Sequence, residues 1–284
     1  MNSSLDVFLA VREANRVFRS FPVRFSLPLV LLGLAGYASV AIERGRQHLL
    51  LNGFMLVVTM SLGWLVEIVL SAMCLRARAG MEPSIEQTGE VLRYPGLGSV
   101  MVKLFFRCLG WALVACVIWL VCYVVYGVTV QLAIGRAAQD SLIHSHSLIR
   151  RGFGTIAFLL VTWLLLYRYM FVLPMLAIVR GSRGKFFGEC VAMTKQVWRA
   201  ALPLAFIEIA PTLARSVFKL VVWGSLGQPN GSRRMLDLAM VVAVECFAAW
   251  FILVKTGLAL QLLAAPSLNK VEGDSIAIGT AQEA

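Results

Sequence analysis

Charge is what this sequence has least of. Only 14% of its 284 residues are Asp, Glu, Lys or Arg, where a water-soluble domain carries about 25%. With 59% of its residues apolar, the chain lacks the polar side chains to cover a soluble surface, which excludes an ordinary water-facing globule. Catalytic signatures are missing as well. There is no lysine-bearing phosphate loop, no Gly-x-Gly-x-x-Gly after a strand, no His-Glu-x-x-His and no Gly-x-Ser-x-Gly. Nucleotide hydrolysis, dinucleotide redox chemistry, zinc peptidase chemistry and serine esterase chemistry therefore have no carrier, and neither an enzyme nor a cofactor is expected. Cys-x-x-Cys and Cys/His metal spacings are also absent. The six cysteines, at 74, 108, 116, 122, 190 and 246, fall in or beside apolar runs and read as small apolar residues with free thiols. The histidines are His48, His144 and His146. They make a metal site only if two separate loops meet, and solvated loop histidines are the simpler reading.

What the sequence has is long apolar runs. Six of them, 25–42, 49–75, 108–134, 153–179, 200–226 and 236–265, approach or exceed the roughly 20 residues that carry a helix across a bilayer core. Backbone in lipid must satisfy its own hydrogen bonds, so such runs are helical. The expected fold is an all-α integral membrane protein with six transmembrane helices. Residues 1–265 form one six-helix membrane domain, and 266–284, beyond Pro266, form a disordered tail. The first run begins only at Phe25, without the layout of a cleavable signal, so the first helix is expected to stay as an anchor.

Basic residues give the orientation. Arg12, Arg16, Arg19 and Arg24 precede the first run. Arg76, Arg78, Arg93, Lys103 and Arg107 lie between the second and third, Arg180, Arg183, Lys185, Lys195 and Arg199 between the fourth and fifth, and Lys270 in the tail. The other side holds fewer than half as many: Arg44, Arg46, Arg136, Arg150, Arg151, Arg233 and Arg234. Positive residues stay cytoplasmic, which puts both termini inside a bacterial plasma (inner) membrane. The net charge of +11 follows from this asymmetry. No aromatics are interleaved with the basic residues in a stacking pattern, so nucleic acid is not an expected partner.

The cytoplasmic segments are amphipathic. On a helical wheel over 5–21, Val7, Ala10, Val11, Ala14, Val17, Phe18 and Phe21 share one face, while Arg12, Arg16, Arg19 and Ser20 take the other and Phe8 and Leu9 fit poorly. Over 186–199, Phe187, Cys190, Val191, Thr194, Val197 and Trp198 line one face, opposite Glu189, Lys195, Gln196 and Arg199. The segment 84–93 is weaker, broken by Gly89 and then by Pro95, Gly96 and Gly98. Amphipathic interfacial helices are thus expected before helices 1, 3 and 5, a threefold internal repeat of interfacial helix and membrane hairpin. Such basic helices lie in the headgroup plane, which makes membrane lipids with anionic headgroups at the cytoplasmic face the expected partner. A protein partner is not legible.

Residues 169–199 carry a resemblance. Val172-Leu173-Pro174, Gly181, Thr194-Lys195 and Trp198-Arg199 resemble a motif of a family of six-helix bacterial inner-membrane domains, which occur alone or fused to glycerophosphodiester phosphodiesterases. Two positions depart from it. Arg180 stands where the family carries Glu, and Cys190-Val191 where it carries Ser-Trp. The resemblance implies the six-helix topology and points to glycerophospholipid metabolism, without implying an activity.

Charges inside the runs are the sharpest candidates, because ionisable groups in membrane helices are costly and face the protein interior. Glu67, Arg168, Glu208 and Lys255 fall at one depth, roughly 12–17 Å from the inner ends of their helices at 1.5 Å per residue. Their charges sum to zero, and they are expected to converge as a neutral network. Glu245, Arg215 and Lys219 form a second layer nearer the outside. Glu208, Thr212, Arg215 and Lys219 share one stripe, which turns the fifth run inward. The same charges read either as pairs holding the bundle together or as a polar path. The expected function is therefore a non-enzymatic inner-membrane protein acting through lipid or protein contacts in envelope lipid homeostasis. The alternative is a transporter or permease subunit with a polar intramembrane path.

Overall fold

The computed structural model of the chain describes residues 5–43, 49–84, 89–134, 160, 163, 167–179, 186–224 and 231–264. Within them every regular element is a helix: α1 Val7–Ser20, α2 Pro22–Glu43, α3 Leu49–Arg78, α4 Leu97–Ile134, α5 Val172–Val179, α6 Phe186–Gln196, α7 Trp198–Gly224 and α8 Gly231–Ala264, with short 3-10 turns at Gly89–Arg93 and Tyr167–Tyr169. Four stretches are long and apolar enough to cross a membrane: Val57–Arg78, Leu97–Ile118, Trp198–Phe218 and Arg234–Ala264. A fifth is reached if Val7–Ser20 and Pro22–Ala38, bent by 90°, count as one broken span. Just under half of the fourth apolar run of the sequence, 153–179, falls outside the described residues. Its described end is the 3-10 turn followed by α5, a helix too short to span alone.

Local chemistry sets the helix ends. Asp6 caps α1 by accepting from the Leu9 N–H at 2.9 Å. Pro22 ends α1, because it pushes the preceding residue out of the helical region and Phe21 takes φ −142°. Pro22 then opens α2, at a position where its missing N–H costs nothing. The end of α3 is a Schellman cap. Gly80 adopts φ +77°, its N–H reaches the Ala77 carbonyl at 3.2 Å, and the Met81 N–H reaches the Arg76 carbonyl at 3.0 Å. Before α4, Tyr94-Pro95-Gly96-Leu97 forms a turn with Gly96 at φ +79° and the Leu97 N–H 3.2 Å from the Tyr94 carbonyl, the type II pattern of Pro then Gly. Pro174 accounts for the break at Tyr167–Tyr169. It cannot donate to the Met170 carbonyl, so a helix running through 170–174 would lose that bond, whereas in the first turn of α5 no bond is lost.

The chain divides into two compact units. The larger comprises Met1–Lys103, Arg168–Ala201 and Asp237–Ala284. In it α3 packs along α5 and α2. Ile68, Leu70 and Met73 of α3, residues Val172–Ala177 of α5 and Phe251, Leu253 and Leu258 of α8 are buried, as is Phe25 of α2. The segment bearing the Leu-Pro motif thus forms the most thoroughly buried helix among those described. α1 lies along the C-terminal half of α8. Asp6 meets Gln261, Ala10 meets Gly257 and Asn15 meets Trp250, so the two helices pass in opposed senses. The smaller unit comprises Leu104–Tyr167 and Leu202–Leu236, and in it Trp163 packs edge-on against Phe206 at 5.4 Å. Phe106, Leu113, Val117 and Val121 of α4 are exposed, on a helix that is apolar all round, as a membrane span is.

Candidate functional site

The expected face of α1 is the one that packs. Ala10, Ala14 and Val17 are buried, Arg12, Arg16 and Arg19 stand outside, and Phe8 is 80% exposed. The two acids of α1 are not part of the outer row. Asp6 caps its own helix, and its backbone N–H and carbonyl exchange hydrogen bonds with the Gln261 amide at 2.9 and 3.0 Å. Glu13 forms an ion pair with Arg78 at the end of α3. The Trp250 indole N–H donates to the Asn15 side chain at 2.8 Å. Gly257 is the closest approach of α8 to this junction. A Cβ there would sit 3.1 Å from Arg78 Nη2 and 3.4 Å from Ala10 Cβ. The missing side chain at Gly257 is the notch in which the Arg78 guanidinium lies, where α1, α3 and α8 meet.

Further along α3, Glu67 meets Lys255, two of the four charges expected to converge. Lys255 Nζ lies 2.6 Å from Glu67 Oε1, with the two side chains 3% and 15% exposed. The Phe251 ring, one turn before Lys255, has its centroid 5.9 Å from the ammonium, which adds a cation–π contact in a dry setting. One turn towards Arg78 on α3, Ser71 is buried beside Thr256. The Thr256 hydroxyl donates to the Ile252 carbonyl at 2.8 Å and has Ser71 Oγ 3.1 Å away as its other partner. Glu67, Ser71 and Arg78 are spaced 4 and 7 apart and share one stripe of α3. The stripe forms a polar seam that ends at the junction with α1.

Arg168 is exposed and stands in the 3-10 turn of the larger unit rather than within a spanning helix. Glu245 of α8 folds over Gly33 of α2, where a Cβ would come within 2.6 Å of its side chain. Glu208 and Arg215 belong to the smaller unit, half-buried on α7, a helix that carries Pro203 and Pro211. Thr212 of the same stripe is exposed, and the Lys219 side chain lies outside the described residues. Sequence reasoning missed Glu13–Arg78, Ser71–Thr256 and the buried Asp237. The 4-and-7 spacing on α3 was the available signal for the first two.

Among the described residues no three His, Cys, Asp or Glu side chains stand close enough to hold a metal ion. His48, His144 and His146 lie outside the described residues. Cys74 and Cys190 are buried. Burial first, then the nearby Glu189 charge, push the Cys190 thiol up, partly offset by a backbone hydrogen bond. It therefore packs as a neutral group rather than a nucleophile. No family model, no curated protein and no solved structure matches this chain.

Proposed function

We propose that this chain is a six-span protein of the bacterial inner membrane, with both termini cytoplasmic. It acts without catalysis, through contacts between its basic helical edge and anionic lipid headgroups, in the upkeep of envelope lipids. One observation carries the reading: the side chains of α1 are sorted. Asp6 caps the helix end while its backbone holds Gln261, Glu13 pairs with Arg78, Ala10 packs against Gly257 of α8, and Arg12, Arg16 and Arg19 are left outside with Phe8. A row of arginines beside an exposed aromatic suits a headgroup layer, with guanidinium on phosphate and ring at the acyl boundary. The threefold repeat has support in the joints. α1 passes into α2 across the single residue Phe21, and α6 into α7 across the single residue Val197.

Two measurements test the reading. Native mass spectrometry from mild detergent should find retained anionic phospholipid, and less of it after Arg12→Gln, Arg16→Gln and Arg19→Gln are combined. Equal retention of zwitterionic lipid by both proteins would overturn the lipid reading. Cysteine-accessibility labelling should place position 140 outside and position 185 inside; both on one side would overturn the topology. The transporter reading draws on the half-buried Glu208 and Arg215 beside Pro203 and Pro211 of α7, since broken spanning helices line ion paths. It expects Glu208→Gln to leave folding intact and abolish ion flux in proteoliposomes.

A further inference from the structure

The junction at Arg78 bears on how a lipid-facing surface of this kind would be regulated, a role that rests on the proposed contact with anionic lipid. Three helices meet at one guanidinium. α3 supplies it, α8 makes room for it at Gly257, and α1 supplies its carboxylate partner, Glu13. The side chains are 20% and 44% exposed, so the notch opens to the surrounding medium on the Glu13 side. A guanidinium fork accepts a carboxylate or a phosphate in the same bidentate geometry. Glu13 is an internal acid occupying a site that a phosphate group also fits. Arg12, next to Glu13 in sequence, and Arg16 both stand exposed and would concentrate such anions there.

α1 is also lightly held. Its fully buried side chains are two alanines and a valine, and its polar ties to the rest of the unit are the contacts of Asp6, Glu13 and Asn15 at positions open to the medium. Elements with few buried apolar contacts and solvent-exposed polar ones are those that open locally. Release would not strand α1, because its apolar face and its outer arginines suit a bilayer surface as well as they suit α8. The joint at Phe21 already turns the chain by 90° and gives release a place to pivot.

We propose that the Arg78 notch is a phosphate-binding site for which Glu13 and an anionic phospholipid headgroup compete, so that α1 is a lid over the α3–α8 polar seam that anionic lipid displaces. The test uses the full-length chain depleted of its native cysteines in lipid nanodiscs, with Asp6→Cys and Gln261→Cys introduced as a thiol pair. Oxidative cross-linking of that pair reports docked α1. Zwitterionic discs should give a high yield and phosphatidylglycerol-containing discs a yield severalfold lower. Glu13→Gln should lower the yield in both discs. Arg78→Lys, which keeps the charge but not the fork, should leave the yield nearly the same in the two. Adding inorganic phosphate to zwitterionic discs separates the sources: a fall there assigns the site to free phosphate, and no change assigns it to the headgroup. Equal yields in the two discs for the parent, or an undiminished lipid response in Arg78→Lys, would overturn the proposal. If native mass spectrometry of the same samples still finds anionic lipid, that failure leaves the lipid reading standing; if it finds none, the lipid reading itself fails.

Discussion

Two ion pairs sit on one stripe of α3, eleven residues apart in sequence, and their surroundings make them different objects. Glu67 meets Lys255 with both side chains nearly closed off, beside an aromatic ring and a buried hydroxyl pair. Arg78 meets Glu13 at the helix end, with Glu13 almost half exposed. The attraction is the same Coulomb term in each; what differs is the state each charge returns to when its partner leaves. When Glu67 or Lys255 is removed, its partner stays in an apolar interior, where losing an opposite charge is expensive. A freed Glu13 or Arg78 finds water, salt or a headgroup. The inner pair therefore fastens α3 to α8, and the outer one acts as an exchangeable latch.

The largest expected effect tests the inner pair. Lys255→Leu should destabilise the protein in detergent by about 3–5 kcal/mol, because the buried Glu67 loses its ammonium partner. Adding Glu67→Leu should recover much of the loss. A double mutant no better than the single would mean that the pair is not the source of the cost. Next comes the hydroxyl pair. Thr256→Val keeps the shape but takes away Ser71's partner, and thermal unfolding should register about 1–3 kcal/mol. Adding Ser71→Ala should restore part of it. A smaller effect is expected at the latch, where Glu13→Gln should cost no more than about 1 kcal/mol and lose even that in high salt. A cost comparable to that of Lys255→Leu would erase the contrast between the pairs. The smallest net effect belongs to Gly257→Ala. Its Cβ would press on the Arg78 guanidinium and Ala10, while the helix gains up to about 1 kcal/mol by losing a glycine. The melting midpoint should barely move even as the Asp6/Gln261 cross-link weakens, and a large loss of stability would show that the notch is rigid.

Reading these features from sequence succeeded or failed for identifiable reasons. The packed face of α1 was legible because it is a local pattern: Ala10, Ala14 and Val17 repeat at helical spacing, and Phe8 and Leu9, which break the pattern, are exposed. Glu67 and Lys255 were legible as candidates because a charge in an apolar run needs a reason to be there. Arg78 was passed over because a basic residue at the end of a run reads as topology, and Glu13 because one acid among arginines reads as a solvated neighbour. Ser71 and Thr256 hid because hydroxyls do not interrupt an apolar run. Arg168 was expected in a continuous helix, and the chain breaks there because Pro174 starts a new one.

By itself, then, the sequence determined what depends on neighbours along the chain: helix rather than strand, spans long enough for a bilayer, which face of α1 is apolar, and the stops at Pro22 and Gly80. These features arise from backbone hydrogen bonding and side-chain periodicity, which act over a few residues. Only the tertiary structure decided which acid meets which base. Glu67 had two cations at a compatible depth, Arg168 and Lys255, and Arg78 several acids within reach of the same membrane face; the choice of Lys255 and Glu13 was made by how α1, α3 and α8 pack. Contacts between residues so distant along the chain form only when packing closes the loops between them, and no local pattern encodes which loops close.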